Sequence, residues 1–138
     1  MSVEENKAMV RRVIEEAINK GNLAVIDDIM APNYVYHFPG MKIEGPEGFR
    51  QFATMMRNAF PDLNVTVDEV IGEENLAAAR VTLRGTLKGE FMGQPPTGRK
   101  MVFKEAVFVY FESGKEVEAW PYADTRDMFA QLGLNPPS

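Results

Sequence analysis

The sequence predicts a single α+β domain, residues 1–138, in which a strongly curved antiparallel sheet wraps around helices and leaves an interior pocket. Three observations carry this. Apolar residues recur at helical spacing up to Phe60, the period changes to two from Leu63 onward, and no linker, repeat or low-complexity tract divides the chain.

Met9, Val10, Val13, Ile14, Ala17 and Ile18 mark one face of a first helix, opened by Ser2 and Glu5 as a capping box and stopped at Gly21. A short second helix follows from Leu23 to Met30, ended by Pro32. Tyr34 to Phe38, aromatic and β-branched, reads as a short strand closed by Pro39-Gly40. Gly45-Pro46 opens a third helix whose stripe is Phe49, Phe52, Ala53, Met56 and Phe60, and Pro61 ends it. This helix is expected on the concave side of the sheet.

Leu63, Val65 and Val67 then alternate with Asn64, Thr66 and Asp68, which begins the first long strand. Leu76–Lys88, Lys100–Phe111 and Glu116–Tyr122 continue it as a meander, the last pair joined by a turn at Ser113-Gly114. The third strand is apolar at both parities, as suits protein on both faces. Asp124 to Leu132 forms a terminal helix with Gly133 as its stop.

Composition excludes several function classes. With 15 basic and 20 acidic side chains the formal net charge is −5, and no Lys/Arg run exceeds two, which opposes nucleic-acid binding. The chain has no cysteine, so thiolate nucleophiles, thiolate metal sites and disulfides are excluded, in keeping with a cytoplasmic location. A single histidine, His37, rules out multi-histidine metal centres. No apolar run approaches the roughly 20 residues of a membrane span. The Gly89–Gly98 loop lacks the lysine and hydroxyl spacing of a phosphate loop. Phe91 and Met92 are instead available to cover a pocket mouth.

Five stretches carry a resemblance: HFPG (His37–Gly40), GPEGFRQF (Gly45–Phe52), AFPDL (Ala59–Leu63), RGTLKGEFMGQPPTGR (Arg84–Arg99) and GKEVEAWPYADTRDMFAQLG (Gly114–Gly133). In that order they resemble the SnoaL-like polyketide cyclases of the nuclear transport factor 2-like superfamily. The resemblance implies a cone-shaped α+β barrel, commonly a homodimer, acting without cofactor or metal on a hydrophobic carbonyl compound. Asp124 matches the family's general acid/base for an intramolecular aldol condensation. The chain departs from the family at Ala119, where a histidine often precedes the tryptophan, and at Leu87-Lys88, where a histidine often follows the Gly-Thr pair.

Each candidate has two readings. Asp124 is either the proton-transfer residue or the N-cap of the last helix. His37 either contacts a substrate carbonyl or water, or is a backbone-satisfied histidine. Glu118, Trp120 and Tyr122 share one strand face, so Trp120 and Tyr122 are substrate-binding candidates or core residues. Phe52, Met56, Phe60 and Phe91 are pocket walls or plain packing. These expectations amount to a cofactor-independent cyclase or isomerase-like enzyme, or else a non-catalytic small-molecule binding and dimerisation domain. An epoxide hydrolase reading would need an Asp-Arg-Asp arrangement that the sequence does not assemble.

Overall fold

The computed structural model describes residues 2–136; residues 1, 137 and 138 of the predicted domain lie outside the described residues. Helix α1 (Val3–Arg12) starts at the Ser2 capping box, in which Glu5 N donates to Ser2 Oγ and Ser2 N to Glu5 Oε1, both at 3.1 Å. It continues as a π-helix, Val13–Asn19. That wider winding is stabilised from outside, because Arg57 Nη1 donates to the terminal carbonyls of Ile18 and Asn19 at 2.8 and 2.7 Å. Helix α2 (Val25–Ile29) is shorter than predicted, since the chain turns extended at Met30 and passes through Pro32 as strand β1 (Met30–Tyr36). Strand β2 (Ile43–Glu44) leads into α3 (Gly45–Ala59), with Pro46 in its first turn.

The meander is β3 (Asn64–Glu73), β4 (Leu76–Thr86), β5 (Lys100–Glu112) and β6 (Lys115–Ala123), followed by α4 (Thr125–Leu132). Six strands form one sheet in the order β2-β1-β6-β5-β4-β3. The expectation of a wholly antiparallel sheet is corrected at one pairing: β1 lies parallel to β6, with Val35 opposite Glu118 and Tyr36 opposite Ala119. A strand preceding the meander by a helix has no hairpin to force it antiparallel, so either direction was open to it.

The inner face is covered by helices, α3 over β1 and β2, α1 and its π-helical continuation over β3 and β4. Asn19 closes the edge of β3 by pairing both amide groups with the Val65 backbone, at 2.9 and 2.7 Å. The core runs between these layers, with Ile26, Ile29, Phe60 and Leu132 wholly buried.

The α3 terminus meets the loop after β4 so closely that both Lys88 N and Gly89 N donate to Ala59 O. A Cβ on Gly89 would stand 2.4 Å from Asn58 O, a backbone atom that cannot yield. Gly89→Ala is therefore expected to destabilise the fold by about 2–3 kcal/mol, read from the midpoint of urea unfolding.

Candidate functional site

Helices and sheet enclose an apolar cavity. Val10, Val13, Ile14 and Ile18 come from the first helix, Phe49, Phe52 and Met56 from α3, and Phe103, Val107 and Val109 from alternate positions of β5. Tyr36, Phe38, Phe49 and Phe52 form a continuous aromatic wall, with Phe52 centred 5.3 Å from both Tyr36 and Phe38. Phe91, wholly buried, packs between Phe60 at 5.3 Å and Phe129 at 6.0 Å. The expected walls Phe52, Met56 and Phe91 thus line the cavity, while Phe60 stands behind Phe91 as packing.

Trp120 and Tyr122 require correction. They share a face with Glu118 as predicted, but it is the outer face of the sheet, where the three join Phe108 and Tyr110 in an exposed aromatic patch. Alternation tells which residues point together and not to which side. His37 lies there too: its ring stacks on Trp120 at 3.6 Å, and Nε2 is 2.8 Å from Glu118 Oε2. None of Trp120, Tyr122 and His37 lines the cavity.

Asp124 caps α4, its Oδ1 accepting from Asp127 N at 3.1 Å. The residue is exposed, although its neighbours Ala123 and Thr125 both line the cavity, so it stands at the rim.

The carboxylates that do line the cavity are two that the sequence reading passed over, Glu105 on β5 and Glu116 on β6. Glu105 follows the inward phase of Phe103 and Val107; an acid in phase with apolar inward residues was the available signal. Glu116 had no such signal, because simple alternation puts it with Glu118 on the outer face. A β-bulge at Val117 interrupts the register, pairing Phe111 with Glu116 but Tyr110 with Glu118, and so turns Glu116 inward.

Burial alone shifts both acids: Glu105 is pushed up to about 7 and Glu116 to about 8. Tyr34 and Tyr36, which also line the cavity, are raised first by burial and then by the charges of Glu116 and Glu105 respectively. Near neutral pH the cavity therefore holds one acid close to half-ionised, one mainly protonated and two phenols, in otherwise apolar walls. Such a set can take up and return protons in a largely apolar space. Among the described residues no three His, Cys, Asp or Glu side chains converge as metal ligands, and no helix is long and apolar enough to cross a membrane.

Comparison with known proteins agrees with this architecture. The chain is 27% identical over 132 residues to the aklanonic acid methyl ester cyclase DauD of Streptomyces sp. (strain C5), covering 91% of this chain and 80% of that one. Wild-type IdmH from Streptomyces antibioticus superposes with a TM-score of 0.78 at 31% identity, over 94% of this chain and 99% of its own. A Jannaschia sp. CCS1 protein shares the fold with a TM-score of 0.88 at 23% identity, over 97% and 95% of the two chains. The family model of the SnoaL-like polyketide cyclases matches residues 8–132, and the chain belongs to that family.

Proposed function

We propose that the protein is a cofactor-independent cyclase that moves a proton within its interior cavity, on a hydrophobic carbonyl compound. The observation that carries this reading is a carboxylate, Glu105, set into the wall of an apolar, aromatic-lined cavity, where burial pushes its pKa up to about 7. An acid/base group works best when its pKa lies near the operating pH, and an ordinary surface glutamate lies well below it. In the proposed step ionised Glu105 removes a proton α to a carbonyl. The enolate carbon then attacks a second carbonyl of the same molecule, forming one C–C bond, and the resulting alkoxide is protonated. No electrons leave the substrate, so no redox partner enters.

Asp124 remains in the proposal as a second acid/base at the rim. Only its Oδ1 is engaged in capping α4, and both sequence neighbours line the cavity. The test is proton exchange: 2-tetralone incubated with the protein in D2O is expected to lose its α-proton signal faster than in buffer, followed by NMR. Binding without accelerated exchange would favour the non-catalytic binding domain instead.

We also infer that two copies associate through the outer face. Phe108, Tyr110, Trp120 and Tyr122 are exposed there side by side, and Val102 on the same strand is 51% exposed. Aromatic clustering of this kind is typical of interface centres rather than of solvated sheet. Sedimentation of the wild-type chain should give a dimer. Tyr110→Arg, which puts a charge into the middle of the patch, should give a monomer with an unchanged circular-dichroism spectrum.

A further inference from the structure

The proposed proton transfer employs Glu105 and leaves Glu116 without a task. Glu116 is 3% exposed, it lines the cavity, and its Oε2 is buried with no hydrogen-bond partner. A buried carboxyl oxygen left unpartnered is costly, and leucine would fill the same space without that penalty. The β-bulge at Val117 adds to the oddity, because without it Glu116 would face solvent.

The two acids stand at opposite ends of the β5–β6 ladder. Glu105 is paired with Ala123 beside α4, whereas Glu116 is paired with Phe111 next to the hairpin turn. Their register positions are at most about 20 Å apart along β5 at the rise of a strand. A ligand held at Glu105 therefore extends toward Glu116 rather than presenting the same group to both.

The chemistry of that far end is restrictive. No lysine, arginine or histidine is among the described residues that line the cavity, so no cation offsets a carboxylate there. Burial keeps Glu116 protonated up to about pH 8. In that form it is an O–H donor on the cavity wall, and none of the described residues hydrogen-bonds its Oε2. An acceptor on a ligand is the matching group. A ligand carboxylate or phosphate is disfavoured, for want of any cation and because Glu105 is partly ionised.

We propose that Glu116 is a ligand-recognition residue, its carboxyl O–H donating to a carbonyl oxygen of an uncharged ligand that lies along the cavity toward Glu105. This deepens the proposed function and rests on its reading of the cavity as the ligand site. It defines the substrate class as uncharged, apolar compounds with a carbonyl remote from the reacting end.

The experiment compares two rigid compounds of one shape, 9-fluorenone and fluorene, by isothermal titration calorimetry at pH 6.5. Wild type is expected to bind the ketone about 10-fold more tightly than the hydrocarbon, the worth of one buried hydrogen bond. Glu116→Leu should erase that preference without weakening fluorene binding. Glu116→Gln should keep it, because the amide N–H still donates. A purely structural glutamate would leave the ratio unmoved in the leucine variant, and that result overturns the proposal, as does equal binding of both compounds by wild type. If wild type binds neither compound, the subsite fails together with the cavity reading. Failure of proton exchange alone, with the ketone preference intact, would count against the catalytic reading and not against Glu116.

Discussion

Glu105→Gln is expected to slow α-proton removal by about 10²–10⁴-fold, the usual cost of losing one positioned acid/base. Glutamine matches the shape of the side chain and remains within the same apolar wall, so folding and ligand affinity should be retained. Asp124→Asn is the necessary companion, since asparagine still caps a helix but cannot take a proton. Proton exchange in 2-tetralone, measured for both variants beside fluorenone affinity, separates the two acids. Loss in Glu105→Gln alone assigns the base to the cavity. Loss in Asp124→Asn alone moves it to the rim. Wild-type rates in both would end the acid/base reading.

The second large effect concerns stability against pH. Glu116 keeps its proton in the folded state to about pH 8 and Glu105 to about pH 7, against a reference value of 4.5 for each. Between those values the unfolded chain has released protons that the folded chain still holds. Stability contributed by these groups is then fully present below pH 4.5 and is lost as pH rises through 7 and 8. Replacing Glu116 by leucine removes its share of the slope. At pH 9 the variant should exceed wild type in unfolding free energy by roughly 3–5 kcal/mol, and the gap should shrink markedly by pH 5. Urea unfolding of both proteins at the two pH values measures it. A pH-independent gap would mean that Glu116 is charged or solvated in the native state.

These two acids also mark where the sequence stopped being legible. The helices and meander were readable because their periodicity is local, and the Ser2 and Gly133 caps lie where predicted. Met30 was less so: its strand pairing depends on Glu116, far along the chain. In the site, parity grouped Glu118, Trp120 and Tyr122 correctly, yet the direction of that group depends on which face the helices cover. Trp120 is large and apolar and so drew attention, whereas the strand spends it on the outer surface. Glu116 was hidden by a single inserted residue, since a bulge at Val117 reverses the parity of everything before it. Phe52, Met56 and Phe91 were found because an apolar helix stripe and a buried loop aromatic face inward under almost any packing.

The parallel pairing of β1 with β6 also sets an order of events for a chain emerging from a ribosome. Met30 meets Glu116 and Tyr36 meets Ala119, so β1 has no neighbour on that side until the last strand has been made. Strands β3, β4 and β5 can pair by successive hairpins as they appear, the first helix can cover β3 and β4, and α3 can cover β1, but the edge of β1 that faces β6 must wait unpaired. During synthesis at about 5–20 residues per second, that interval lasts some seconds. Strand β1, Met30–Tyr36, is thus the segment whose open edge most needs shielding in the nascent chain until β6 pairs with it.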